Sequence, residues 1–382
     1  MNGFFREFVS KTIKMNRLID SVKRFFKKPD IVTSNWTFWF HSVVTTSALV
    51  VFCTVLAIRE LVGEPIQCIT SCNCDQNYVN RFCWMSTTFT MPDAFNRPPP
   101  GAVAYPGVVN NFGNVDGQKH YVYYQWVVMV MAFQAMLCYL PKKIWRWWES
   151  GLMRQLLMDH PGWKSSLCKC NDEAKAKRKA NQIDYILKHL NTHNWYALCY
   201  WFTELMCFVN VVVQIFLMNL FFKGDFIKYG LTVVTFPELE PNERSDNMAF
   251  VFPHQTKCTF HRYGPGGSIE RIDALCILPL NVTNEKTYIC LWFWYFIMAA
   301  ATGIVVVSRI VSAFFPKYRR LVISFADPAV QRAMTEDLSI GDWWVLYMLG
   351  KNLEPQYYAK ILSEVAHKKR EMDGCLKVYQ LV

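Results

Sequence analysis

Charge is missing from long stretches of this 382-residue chain. The runs Trp36–Ile58, Tyr121–Leu140 and Tyr288–Ser308 contain no Asp, Glu, Lys or Arg, and Ala197–Phe222 contains only Glu204. A soluble protein would interleave charges at helical or strand period, so a soluble fold is excluded. Internal repeats and low-complexity tracts are also absent, which excludes a solenoid or a disordered linker protein. No cluster of His, Asp and Glu is arranged on the apolar runs, where Glu204 stands alone, and this argues against a membrane enzyme. Gly350-Lys351 lacks the upstream Gly and the following Ser or Thr of a phosphate loop, so no nucleotide site is expected, nor any other cofactor. No cleavable signal peptide is evident. The first apolar run starts at Trp36 and is too long for the core of one, so it reads as an uncleaved signal anchor.

What is present is four runs long enough to cross a hydrocarbon core as helices. They organise the chain into an N-terminal arm (1–35), a first span (36–61), an outer loop (62–120), a second span (121–141), a central loop (142–196), a third span (197–222), a second outer loop (223–287), a fourth span (288–315) and a tail (316–382). The arm, central loop and tail hold 29 Lys and Arg against 16 Asp and Glu, while the two outer loops hold 10 against 12. The positive-inside bias therefore places both termini and the central loop in the cytoplasm. The net charge of +11 sits in blocks flanking the spans. Anionic headgroups lie there, so membrane lipid rather than nucleic acid is the expected partner.

Six of the 14 cysteines fall in the outer loops: Cys68, Cys72, Cys74, Cys83, Cys258 and Cys276. Disulfides persist outside the cell, whereas Cys168, Cys170 and Cys375 are expected as free thiols. Six cysteines allow 15 connectivities, so arithmetic does not pair them. A metal site from the four in the first loop is an alternative that an oxidising compartment disfavours. Cys168-x-Cys170 with His189 and His193 invites a zinc reading, but the spacing is unusual for one; no metal site is expected. Gly264-Pro265-Gly266-Gly267 and Pro98-Pro99-Pro100-Gly101 read as turns. Asn281-Val282-Thr283 is a glycosylation sequon on the outer side, close to the fourth span. Asn35-Trp36-Thr37 matches the same pattern at the cytoplasmic edge.

Tyr123-Tyr124-Gln125-Trp126-Val127 opens the second run, as paired aromatics at a membrane interface would. Pro141, followed by Lys142, Lys143, Arg146 and a Trp145/Trp147/Trp148 cluster, is read as the break that ends that span. In the first span Ser42, Thr45, Thr46 and Cys53 fall on one side, and in the third Glu204, Asn210 and Gln214 share about a third of the circumference. Such a face either borders water or is satisfied by neighbouring helices. In the arm, apolar residues from Phe4 to Phe26 recur at helical spacing among basic ones, a pattern suited to a membrane surface or a pore wall.

The pentapeptide Tyr123–Val127 resembles the signature that opens the second span of innexins, the gap-junction proteins of invertebrates. The passages Gly63–Cys68, Phe82-Cys83-Trp84, Lys257–Pro265 and Leu275–Asn281 resemble insect innexin outer loops. His193-Asn194 with its following aromatic, Ile340–Trp344 and Gly350-Lys351-Asn352 are similar to insect members too, a group that includes copies carried by insect-associated viruses. The resemblance runs from Met15 to about Tyr358. It implies an all-α membrane protein with four transmembrane helices per subunit, a small disulfide-linked extracellular region and a helical cytoplasmic region, assembled as a ring. It implies two cysteines per outer loop, pairing Cys68 with Cys276 and Cys83 with Cys258. Cys72 and Cys74 depart from the family pattern and can bond each other, compete in pairing or stay free.

Arms and first spans line the pathway in such channels, which makes Ser42, Thr45, Thr46 and Cys53 the pore-lining candidates. Residues 1–14 read as an extension expected to narrow conductance or disfavour cations. The implied function is a gap-junction subunit at cell–cell contacts of the plasma membrane, in a ring of eight rather than six, docked to a ring of the same or a related innexin on the adjacent cell. An undocked hemichannel, or a four-span adhesion or scaffold protein without conductance, is the alternative.

Overall fold

The computed structural model describes residues 31–72, 74–95, 103, 105–110, 117–157, 172–235, 247–322 and 338–379. In chain order its helices are α1 (Trp36–Val62, π-helical over Phe40–Thr45), α2 (Gln76–Met85), α3 (Val127–Glu149), α4 (Leu152–Leu157), α5 (Asp172–Lys188), α6 (Asn194–Phe221), α7 (Asp225–Thr235), α8 (Asn247–Val251), α9 (Pro279–Phe314), α10 (Pro316–Val322), α11 (Ile340–Asn352) and α12 (Pro355–Tyr379). Among the described residues α1, α3, α6 and α9 are long and apolar enough to cross a membrane. Local chemistry sets several ends. α1 stops at Gly63, whose N–H donates to the Arg59 carbonyl. Asp75 caps α2 by accepting from the Asn77 N–H, and Ser339 caps α11 by accepting from Asp342. α9 opens on Pro279, where a missing N–H costs nothing.

Pro141 does not end the helix of the second span. α3 runs through it to Glu149, and the apolar run's first residue, Tyr121, belongs to a strand. A proline forfeits one intrahelical bond but does not forbid continuation when the following turn is held. Trp145 holds it: the ring is buried, with Tyr196 and Tyr200 at centroid distances of 5.3 and 4.8 Å.

The chain forms two compact units. One comprises residues 1–44, 139–208 and 301–382, the other 45–138 and 209–300. The first unit has a core built on α11, in which Trp343 and Trp344 are fully buried with Tyr200, Ile361, Leu362 and Val365. α11 has little amphipathic character because nine of its residues are buried, on every side.

The second unit contains a five-stranded antiparallel sheet among its helices. Its strands are β1 (Gln67–Thr70), β2 (Thr88–Thr90), β3 (Lys119–Tyr121), β4 (Gln255–Tyr263) and β5 (Ile269–Ile277), in the order β1-β5-β4-β2-β3. Three of them have only three or four residues, too few for a period-two pattern to register in the sequence. β4 buries three consecutive residues, Thr256, Lys257 and Cys258, which conceals its alternation as well. The hairpin between β4 and β5 turns at Gly264–Ser268, and Gly267 takes the left-handed conformation that the turn requires (φ +80°).

Candidate functional site

In the sheet-bearing unit the two long connections between spans are joined covalently and by register. Cys68 on β1 lies directly opposite Cys276 on β5, and the two are bonded (S–S 2.06 Å). Cys83, in the last turn of α2, is bonded to Cys258 on β4 (S–S 2.03 Å). These are the pairs named from the resemblance. All four are buried in one cluster with Ile66, Val79, Phe260 and Leu278. Cys72 is bonded to Cys74, and Arg262 Nη1 lies 3.4 Å from the Cys74 Sγ. The sulfurs of Cys68, Cys83 and Cys276 lie within 4.8 Å of one another, but all three are in disulfides and offer no thiolate to a metal.

The Tyr123–Val127 signature sits directly beneath this cluster. Tyr123–Gln125 form a 3₁₀ turn joining β3 to α3. Tyr124 is buried within the cystine cluster, its ring 4.6 Å from that of Trp84. Gln125 donates to the Trp84 carbonyl, and Tyr123 meets Phe222 and Phe252 at 5.3 and 5.7 Å. Val127 is buried, and only Trp126 is exposed, at 53%. The interfacial-anchor reading therefore fits Trp126, while the other four residues pack as core. At the same level Lys119 bonds Asp225 at 2.9 Å and lies 3.4 Å from the Phe250 ring centre. Burial pulls its ammonium below the usual lysine value, and Lys223 adds to this against the pull of Asp225.

Two sets of residues singled out in the sequence have buried side chains within the subunit. Ser42, Thr45 and Thr46 are buried and Cys53 is half-buried, so they do not form an open polar face of α1. Their polar atoms are satisfied inside the subunit: Ser42 Oγ donates to the Phe38 carbonyl, Thr45 Oγ1 accepts from Trp294 Nε1 at 2.8 Å, and the Cys53 thiol reaches the Val128 carbonyl at 3.5 Å. In the 45–62 stretch the exposed residues are mostly apolar, with Val50, Val51, Val55 and Ile58 around Thr54 and Arg59 near the end of the helix. Asn281 is fully buried at the start of α9, its Nδ2 donating to the Pro253 carbonyl at 2.9 Å. The nitrogen that a glycan would use is thus enclosed within the unit.

The innexin family profile matches residues 34–369. The chain belongs to the innexin family. Innexin inx1 of Schistocerca americana is 46% identical over 358 residues, covering 93% of this chain and 98% of that protein. Innexin inx1 of Drosophila melanogaster is 43% identical, with 92% and 97% covered, and Drosophila Innexin shaking-B is 36% identical, with 91% and 93% covered. Innexins are gap-junction channel subunits.

In the other unit of this innexin, the chain entering α1 is gripped by the tail. The Val32 N–H donates to Asn352 Oδ1 at 2.7 Å, and Asn352 Nδ2 returns a bond to the Val32 carbonyl at 2.9 Å. Asn35 donates its N–H to Tyr200 Oη and its Nδ2 to Glu204, and Lys351 donates to Asn35 Oδ1. Glu204 is bonded to Arg309, Nε to Oε2 at 2.6 Å, whose guanidinium lies 4.6 Å from the Trp344 ring centre. Glu204 is thus a paired structural charge rather than a water-facing one. Burial, with Arg309 nearby, pulls the Lys351 ammonium down to about 8.

A second joint lies on the same helix. Asp342 accepts from the Asn191 N–H at 2.7 Å and from His193 Nδ1 at 2.9 Å, while the Gly341 N–H donates to Asn194 Oδ1. Burial alone would raise the Asp342 carboxyl, but bonds from His193, Asn191 and Ser339 hold it below the usual aspartate value. His193 is therefore held to α11 by a carboxylate on its Nδ1. Cys168 and Cys170 lie outside the described residues, as do the N-terminal arm before Ile31 and Pro98–Gly101.

The sequence singled out Gly350–Asn352 and Ile340–Trp344 as family passages without giving them a role. Arg309 was passed over because it stands just past the charge-free run that marked the fourth span.

Proposed function

We propose that this innexin is one subunit of a ring, of eight in preference to six, that sits in the plasma membrane and docks end to end with a ring on the adjacent cell. Ions and small molecules pass through the joined channel. The observation that carries the reading is the pair of cystines Cys68–Cys276 and Cys83–Cys258, which fix the loop after the first span and the loop before the fourth as one sheet. A docking surface needs such rigidity, because loops that must be ordered on contact lose affinity to their own entropy. The tip of the β4–β5 hairpin presents exposed Arg262, Tyr263 and Ile269 to the opposing ring. The Cys72–Cys74 pair, beside Arg262, makes that contact depend on the partner. Basic flanks of the spans support placing both termini and the central segment in the cytoplasm. The exposed face of α1 around Thr54 and Ile58 supplies part of the pathway wall in place of the buried hydroxyls.

Paired cells expressing the chain test this. Junctional conductance and dye transfer between partners are expected, and both should disappear in Cys83→Ser with surface expression intact. Dye uptake by single cells without transfer between pairs would instead identify an undocked hemichannel. Absence of any conductance, with protein at the surface, would identify an adhesion protein. Recordings from Met1 and Met15 starts test the extension, with a smaller or less cation-selective conductance expected from Met1.

A further inference from the structure

The third and fourth span helices hold a groove of about 670 Å³ within one unit. Its walls are apolar, formed by Leu198, Phe202 and Leu205 of α6 and Ile310 and Phe314 of α9, with Trp195 at the rim. These side chains are well exposed, from 41% for Leu205 to 75% for Phe314. Within a bilayer such surface is covered by lipid chains unless protein takes their place.

One lining residue does not fit a purely apolar occupant. Arg309 also borders the groove. A guanidinium carries five N–H donors in a fixed fork. Two go to Glu204, Nε to Oε2 and Nη2 to Oε1, and the remaining three have no acceptor among the described residues. Glu204 already balances its charge, so what the fork lacks is acceptor oxygen rather than a counter-ion. Its depth is informative. Arg309 stands five residues before the end of α9, about 7 Å along the axis. Across the groove the start of α6 carries exposed Trp195, an aromatic suited to the headgroup layer. The free donors therefore sit within the groove, at the depth where a bilayer carries the ester and phosphate oxygens of its lipids.

We propose that this groove is a phospholipid site, in which one acyl chain lies between α6 and α9 and the lipid's ester or phosphate oxygen accepts from Arg309. Burying an unpaired donor against hydrocarbon is costly, and the lipid oxygen removes that cost. A neighbouring copy of the chain is the competing occupant. It would have to bring its own acceptor to the same depth.

The test uses the assembled channel in vesicles containing phosphatidylcholine with a photoreactive group on its acyl chain. Peptide mapping after illumination should find labelling concentrated on residues 195–205 and 306–314, and Ala313→Trp, which fills the groove, should abolish that excess. Labelling no denser there than on the lipid-facing remainder of the spans would overturn the proposal. Leu205→Cys gives an independent reading that does not require a filled groove to fold. Protection of that cysteine from a lipid-soluble maleimide in the assembled channel would show that protein covers the groove and would equally overturn it. Accessibility to the lipid-soluble maleimide is the expected result.

Discussion

Asn352 pairs with Val32 as one strand residue pairs with another: its side-chain amide donates to the Val32 carbonyl and accepts from the Val32 N–H. The end of a tail helix thereby holds the main chain four residues before the first span begins. Asn352→Leu removes both bonds and leaves two main-chain groups unpartnered, at about 1–3 kcal/mol for each that stays buried. Faster amide hydrogen exchange at residues 31–35 is expected, together with altered voltage dependence of junctional current. Unchanged exchange there would show that the grip is dispensable.

Glu204 and Arg309 should be far more costly to separate than to remove. Glu204→Leu leaves a guanidinium without its carboxylate in a low-dielectric setting, a loss of about 3–5 kcal/mol. Replacing both, with Glu204→Leu and Arg309→Met, should recover most of that loss, because two desolvated charges leave together. Thermal unfolding of the purified assembly measures the difference.

Acidification should loosen the α11 joint through Asp342. A carboxyl depressed on folding contributes stability that is complete above its ordinary value of about 3.9 and is lost as pH falls through the depressed value. Tryptophan fluorescence, reporting on buried Trp343 and Trp344, should therefore change below about pH 4 in the native chain. Asp342→Asn should be weaker at neutral pH and show a smaller acid-induced change.

Gly341→Ala should fail more severely than a helix-favouring substitution suggests. A Cβ at that position would fall on the main chain of His193 and Asn194, which cannot rotate aside as a side-chain tip can. The expected cost is at least that of ordinary overpacking, about 1–3 kcal/mol. It is read as reduced assembly yield and a lowered midpoint of thermal unfolding.

Glycosidase treatment should leave the electrophoretic mobility unchanged, despite the Asn281-Val282-Thr283 sequon. The Asn281 amide is buried and committed to Pro253. A shift removed by Asn281→Gln would contradict this packing.

The spans were legible because a bilayer imposes its demand locally: some twenty residues without charge state the requirement in one stretch of sequence. The cystine framework was legible only through family resemblance, since spacing gives no pairing. The sheet was hidden because its short strands draw their order from cross-links and neighbours rather than from their own periodicity. The burial of the polar residues of α1 was hidden for a related reason. Helical spacing places Ser42, Thr45 and Thr46 on one face but does not say what lies opposite, and Trp294, which bonds Thr45, is 249 residues away. Partners such as Asn352 for Val32, 320 residues apart, leave no local trace at all.

The strand order also imposes a schedule on synthesis. β4 and β5 occupy the middle of the sheet, yet they are made after β1, β2 and β3, which flank them. Until residue 277 leaves the ribosome, β1 has no neighbour to pair with, and Cys68 and Cys83 wait as thiols through two further spans. A message truncated before the second loop would therefore yield a chain with open strand edges and reactive sulfurs, a substrate for quality control rather than a shorter channel.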